Sequence, residues 1–418
     1  MIQFKNNLDF AKELDSKDSL AKFRDQFYFP KINGKEAIYL TGNSLGLQPK
    51  LAMAALQQEL DDWREFGVEG HFHGKNPWFH YHKFLTEKAA KVVGALPHEV
   101  VIMNNLTVNL HLMMVSFYRP TSSKYKIIME AGAFPSDQYA MESQVKFHGY
   151  KPEESIIEIS PREGEFYLRT EDIIKTIELN ANKTALIMFS GVQYYTGQAF
   201  DMQEITKVGH KYGITVGFDL AHAAGNLHLN LHEWDVDFAV WCGYKYLNSG
   251  PGGVSGVFVN ERYADDKELP RFAGWWGHKE SERFLMKKGY IPEYGAAGWQ
   301  LSNAPVLNMA VLNASLQIFE EAGMENLTDK SKLLTAYLQF VIENFQKNLT
   351  IITPNNQRGS QLSILTDENG KSLFQHLQNH GIIADWREPN VIRMAPVPLY
   401  NSFEDVYRVG EAISMFQK

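Results

Sequence analysis

Two apolar runs that each end in reactive side chains set the reading of this chain: Ile214-Thr-Val-Gly-Phe-Asp-Leu-Ala-His222 and Asp237-Phe-Ala-Val-Trp-Cys-Gly-Tyr-Lys-Tyr246. Both are short, nearly unbroken by polar residues and rich in β-branched or aromatic side chains, the pattern of strands buried on both faces. A helix over 201–212, capped by Asp201 and stopped by Gly213, precedes the first run. Strands alternating with helices at this spacing predict a largely parallel sheet covered on both faces, an α/β fold. Ligands of such sheets bind beyond the carboxyl ends of the strands, and Asp219, His222 and Lys245 fall there.

The pattern continues upstream. Val100-Val-Ile-Met103 is a short strand, and Asn104-Asn-Leu-Thr-Val-Asn109 opens an apolar helix through Phe117. A helix start offers free N–H groups and the positive end of the dipole; with the Thr107 hydroxyl this makes a phosphate cup, although ordinary N-capping explains the same residues equally well. A strand over 124–129 leads into the loop Ala133-Phe-Pro-Ser-Asp137, where Phe134 can stack on a flat ring and Ser136 and Asp137 can bond its edge. A strand over 184–189 ends at Ser190. Each residue alone is a weak signal. Five successive strand ends carrying Thr107, Phe134 with Asp137, Ser190, Asp219 with His222, and Lys245 are hard to attribute to chance.

The chain has 418 residues, more than one compact core accommodates, which predicts a large and a small domain. The expected division is an N-terminal arm with part of the small domain over 1–75, a large ligand-binding domain over 76–310 and a small α/β domain over 311–418. Within the last, the pattern predicts a helix around 327–346, strands over 359–366, 382–386 and 391–394, a helix over 373–380, and a closing helix over 401–416 with Asn401 and Glu404 as its capping box. A net charge of −8 lacks the basic footprint of a nucleic-acid binder. No apolar run is long enough to cross a bilayer, and no apolar signal core opens the chain. The single cysteine, Cys242, excludes an intrachain disulfide and fits a reducing compartment, so the expected location is the cytoplasm. Four histidines between 71 and 82 interleave with aromatic residues; without an acid or cysteine among them, an aromatic pocket or packed loop is preferred to a zinc site.

An amine nucleophile between tyrosines, a carboxylate and an imidazole at neighbouring strand ends suit a covalent carbonyl cofactor, pyridoxal 5'-phosphate. Lys245 would form the imine, which requires a lysine desolvated enough to be partly neutral. Asp219 would keep the ring nitrogen protonated and make the ring an electron sink. Arg393 is placed to grip an amino acid's carboxylate, with Arg387 as its competitor. Tyr244 would anchor a phosphate or transfer a proton; packing between domains is its alternative.

Several motifs together resemble kynureninases: Thr41-Gly-Asn-Ser-Leu-Gly46, Phe134-Pro-Ser-Asp137, Gly191-Val-Gln-Tyr-Tyr-Thr-Gly197, Gly217-Phe-Asp-Leu-Ala-His-Ala223 and Tyr244-Lys-Tyr-Leu-Asn248. Gly274-Trp-Trp-Gly-His278, Ser302-Asn303 and Ile392-Arg-Met-Ala-Pro-Val-Pro398 extend the resemblance from about residue 38 to the C-terminus. It implies a fold-type-I pyridoxal phosphate homodimer with sites at the subunit interface. It also implies hydrolysis of an amino-acid substrate, L-kynurenine or 3-hydroxykynurenine, to anthranilate or 3-hydroxyanthranilate and L-alanine, a step of tryptophan catabolism or NAD biosynthesis. Carried onto this sequence, Lys245 is the cofactor lysine and Tyr244 a proton donor. Leu106, Thr107, Phe134, Pro135, Ser136, Asp137, Ser190, Asp219, His222, Tyr244, Trp275 and Asn303 surround the cofactor. Arg393, Ser44, His71 and Asn303 receive the substrate. The Tyr-Lys and Phe-Asp-x-x-His elements alone would also suit a class V aminotransferase or a cysteine desulfurase, and a non-catalytic protein of the same fold is a further alternative, against which intact Lys245 and Asp219 argue. A desulfurase needs a mobile nucleophilic cysteine, whereas Cys242 lies in an expected buried strand.

Overall fold

The computed structural model describes residues 3–345 and 349–416. Its centre is a seven-stranded sheet in the order Val100–Ile102, Gly256–Val259, Phe238–Trp241, Thr215–Asp219, Thr184–Ser190, Lys126–Glu130 and Ile156–Ile159. Only Gly256–Val259 runs against its neighbours. The other strands share one direction, so their carboxyl ends collect along one edge.

The alternation of side chains along each strand divides the core into two layers. Ile187, Phe189, Val216, Phe218, Ala239 and Trp241 pack into one. Leu186, Met188, Phe238 and Val240 pack into the other, under the helices Leu106–Phe117 and Pro135–Phe147. These strands therefore read as continuous apolar runs, with no polar face.

The C-terminal part builds a four-stranded antiparallel sheet in the order Thr350–Ile351, Leu362–Leu365, Val391–Met394 and Asp385–Arg387. Its core joins the N-terminal arm, through Phe10, Ala11 and Leu40, to helix Met324–Phe345 and the closing helix Phe403–Met415. The two cores meet within Met324–Phe345: Leu327 belongs to the large core and Leu334 to the small one. The expected division at residue 311 would cut helix Val306–Ala322, whose Leu312, Leu316 and Phe319 pack in the large core.

Three local expectations shift. Pro135 begins helix Pro135–Phe147, where its missing N–H costs nothing, so Ser136 and Asp137 stand in a first helical turn instead of a loop. The expected strand over 382–386 divides in two: Ile382–Ile383 pairs with Ile38–Tyr39, and Asp385–Arg387 joins Val391–Met394. The cap of the closing helix is Ser402 with Asp405, one residue beyond the expected Asn401 and Glu404; Glu404 turns to Arg408 at 3.2 Å instead. The expected end of the helix around 327–346, Gln346, lies outside the described residues.

One segment touches both parts. After Ile38–Tyr39 pairs with Ile382–Ile383, Ala395 N donates to Leu40 O at 2.8 Å and Gly46 N donates to Tyr244 O at 2.9 Å. A Cβ on Gly46 would lie 2.2 Å from Asn248 Oδ1 and 2.4 Å from Lys245 O, so only glycine lets this turn approach the lysine loop.

Candidate active site

Five of the seven sheet strands each bring a piece to the carboxyl edge. Asp219 and Ser190 are direct register partners on adjacent strands. Between strand Val100–Ile102 and helix Leu106–Phe117 the chain turns through Asn104, held at φ +49°. Asn104 Nδ2 donates to Asn109 Oδ1 at 3.0 Å, and Asn109 Nδ2 donates to Met103 O at 2.9 Å. This fixes the helix start, which has no side-chain cap and leaves its first N–H groups free. Thr107 Oγ1 and Ser136 Oγ are hydrogen-bonded at 2.7 Å, joining two helix starts.

These pieces line one cavity: Leu106, Thr107, Phe134, Ser136, Asp137, Ser190, Asp219, His222, Tyr244 and Lys245. Lys245 Nζ lies 5.8 Å from the ring centroids of both Phe134 and Tyr244. Sequence reasoning did not single out Val192, Tyr194 and Ala221, which complete the lining. Tyr194 stands edge-on to Phe134 with centroids 5.2 Å apart; its place three residues beyond Gly191, just after the strand end at Ser190, was the available signal.

Pro135, Ser44, Arg393, His71, Trp275 and Asn303 do not line that cavity. Arg393 and Ser44 stand just behind it. The guanidinium is buried, and its Nη1 donates to the backbone oxygen of Tyr194 at 2.7 Å. Its Nη2 donates to Ser44 Oγ at 3.1 Å and to the Asp385 carboxylate. Asp385 also accepts from Arg387 at 3.3 Å, so the two candidate clamps share one acid that the sequence did not mark. His71 is half-buried at the end of the short helical turn Gly67–His71, with Nδ1 2.9 Å from Val68 O. Trp275 donates to Arg283 O at 3.2 Å and is 47% exposed; Asn303 is exposed as well.

The electrostatics follow from burial. Asp137 and Asp219 are both pushed up by desolvation, Asp137 well above the carboxylate range with Asp219 as its like-charged neighbour. The Ala221 N–H, 2.6 Å from Asp219 Oδ1, and the Lys245 ammonium favour charge on Asp219. The shared proton therefore sits on Asp137 and the negative charge on Asp219. Burial holds the His222 imidazole neutral, well below its ordinary range, with Lys245 adding to the effect. Burial likewise raises the Tyr244 phenol, helped by Cys242. His222 Nδ1 and Asp137 Oδ1 are buried without hydrogen-bond partners in the protein.

The fold matches those of cysteine desulfurases. The enzyme of Thermococcus onnurineus covers 90% of this chain and 94% of its own at TM-score 0.75 and 19% identity. The desulfurase CsdA of Escherichia coli covers 94% and 97% at TM-score 0.75 and 17% identity. Residues 327–413 match the family model of the kynureninase C-terminal domain. Along nearly the whole chain, the kynureninase of Christiangramia forsetii is 54% identical, covering 99% of this chain and 98% of that protein. The Myxococcus xanthus kynureninase is 56% identical, covering 97% and 96%, and that of the animal Nematostella vectensis 49% identical, covering 96% and 92%. Similar to such relatives along nearly its whole length, this chain belongs to the kynureninase family.

Proposed function

We propose that the protein uses pyridoxal 5'-phosphate to hydrolyse the Cβ–Cγ bond of L-kynurenine or its 3-hydroxy derivative, releasing the aryl acid and L-alanine. The observation that carries this reading is the convergence of Lys245, Asp219, Phe134 and an uncapped helix start on one cavity in a chain of this family. The partnerless His222 Nδ1 and Asp137 Oδ1 suit a polar heteroaromatic ring, and the free N–H groups near Thr107 suit its phosphate.

When bound, pyridoxal phosphate supplies a carbonyl that captures amines and a ring that withdraws electrons. Lys245 would hold the cofactor and would take the substrate Cα proton on Nζ. Asp219 would keep the ring nitrogen protonated, a role that requires the charged form that Ala221 N–H stabilises. Phe134 would stack on the ring, and the helix start at Leu106 and Thr107 would hold the phosphate. Arg393 orients the substrate carboxylate. Water attacks the γ-carbonyl. Tyr244, raised by burial, stays protonated at neutral pH and donates the proton that completes alanine.

Two copies pair through the apolar surface of helix Leu51–Phe66 and its surroundings. Leu51, Met53, Trp63 and Leu307 are exposed there, beside a 530 Å³ cavity lined by Met53, Pro251 and Leu307. Trp275 and Asn303, which miss their own chain's cavity, then serve the neighbouring copy's site. Among the described residues no helix is long and apolar enough to span a membrane. The one cysteine is free and buried, which suits a cytoplasmic enzyme.

A desulfurase reading draws support from the fold alone and fails on chemistry. Cys242, one residue past strand Phe238–Trp241 and not within it as expected, is 2% exposed, and burial raises its thiol, the reverse of an activated nucleophile. The test is anthranilate fluorescence after mixing holoenzyme with L-kynurenine. Lys245→Ala should abolish steady-state turnover in a folded protein. A cofactor-loaded wild type that releases no anthranilate, or turnover surviving in Lys245→Ala, overturns the proposal.

A further inference from the structure

Glu130 ends the strand Lys126–Glu130 behind the cofactor cavity and is 1% exposed. Ser190 N lies 3.2 and 3.3 Å from its two carboxyl oxygens, and the Ser190 hydroxyl bonds to Oε1. Two groups of one residue thus converge on one buried acid. On its other side Glu130 lines a separate 220 Å³ cavity, shared with Phe166, Tyr167, Gln193, Tyr194 and Tyr195. A proton can reach the carboxyl from there without passing Lys245.

We infer that Glu130 is a positioning residue for the cofactor: by gripping the N–H and hydroxyl of Ser190, it sets whether Ser190 offers the pocket an oxygen lone pair or a proton. As a carboxylate, Glu130 takes the hydroxyl hydrogen, and Ser190 faces the pocket as an acceptor. As the acid, Glu130 donates to Ser190 Oγ and frees the hydroxyl hydrogen for an anionic ring oxygen. This rests on the proposed contact between Ser190 and the cofactor ring. Burial pushes Glu130 up to about 7, against the lowering effect of its Ser190 bonds and with Asp219 adding to the rise, so both forms are populated near neutrality. The other titratable groups around it are Asp137, Asp219, Lys245 and His222 on the cofactor side, and Tyr167, Tyr194 and Tyr195 on the far side.

The experiment reads the visible absorption of lysine-bound pyridoxal phosphate against pH in reconstituted wild type, Glu130→Gln, Ser190→Ala and the double variant. Glutamine fills the same space and still bonds Ser190 but has no proton to lose. The wild type should show a spectral step near neutrality that Glu130→Gln lacks. Ser190→Ala should lack it too, and the double variant should match Ser190→Ala. Should Glu130→Gln not fold, Ser190→Thr, which keeps the hydroxyl, should retain the step that Ser190→Ala loses. A step that survives in Glu130→Gln at the wild-type midpoint overturns the proposal. Survival in Ser190→Ala overturns it through the contact on which it rests. A wild type that takes up no pyridoxal phosphate defeats the reading of the cavity itself.

Discussion

Replacing Arg393 by lysine tests the substrate clamp while keeping the charge. The guanidinium spans two directions at once: Nη1 reaches Tyr194 O at 2.7 Å, and Nη2 serves Ser44 at 3.1 Å and Asp385. A lysine ammonium is a single point at the end of a flexible stem and cannot hold the fork. The interaction lost with a substrate carboxylate is one charge-assisted hydrogen bond, about 1.5–3 kcal/mol. At about 1.4 kcal/mol per decade, KM should rise roughly 10- to 140-fold, with kcat falling less. Stability should fall as well, by about 1–3 kcal/mol, because Tyr194 O or Ser44 loses its buried donor while Asp385 keeps Arg387 at 3.3 Å. Initial rates of anthranilate release over a range of L-kynurenine concentrations, beside a thermal melt, separate the two effects. A KM within about twofold of wild type in a folded variant would refute the reasoning and transfer the clamp to Arg387.

Asp219→Asn should keep the fold and lower kcat about 10²–10³-fold, the loss typical of removing one preorganised electrostatic partner; single-turnover kinetics check it. In Gly46→Ala the new Cβ would meet Asn248 Oδ1 at 2.2 Å and Lys245 O at 2.4 Å, so a stability loss of about 1–3 kcal/mol is expected in urea unfolding. His82 predicts the acid limb of stability, because burial, with Lys83 and Arg283 adding, lowers it from an ordinary 6.5 to about 4. Between those values the unfolded chain binds the proton and the folded chain does not. Stability therefore falls as pH drops through 6.5 and is about 3 kcal/mol lower by pH 4. His82→Gln should remove that share of the loss when unfolding free energies at pH 7 and pH 4 are compared.

What the sequence revealed and what it hid have physical causes. Strands buried on both faces leave unbroken apolar runs, so Asp219, Ser190 and Lys245 stand out as the first polar residues beyond each run. Glu130 escaped notice for the converse reason. An acid after Lys126-Ile-Ile-Met129 looks like the strand's exit to solvent, and only the neighbouring strand, which brings Ser190, shows why a carboxyl is buried there. Asp385 was hidden by register: the expected strand over 382–386 merged two short strands that pair with different partners. The one-residue slip at the closing helix arose because Asn401 and Ser402 both cap well in isolation, and the side chain of Asn401 is engaged elsewhere, accepting from Val397 N at 2.8 Å. Trp275 and Asn303 carried a recognisable motif, yet the structure places both outside the cavity of their own chain.

The stretch from Ile38 to Gly46 has a mechanical consequence. It is stitched to the C-terminal part at Ile382–Ile383 and Ala395, and to the lysine loop at Tyr244, over fewer than ten residues. So short a linkage has little slack, and it acts as a lever arm. A tilt of the C-terminal sheet, which carries Arg393, would be passed on to the loop that carries Lys245, and shortening the chain from its N-terminus past Ile38 would uncouple the two.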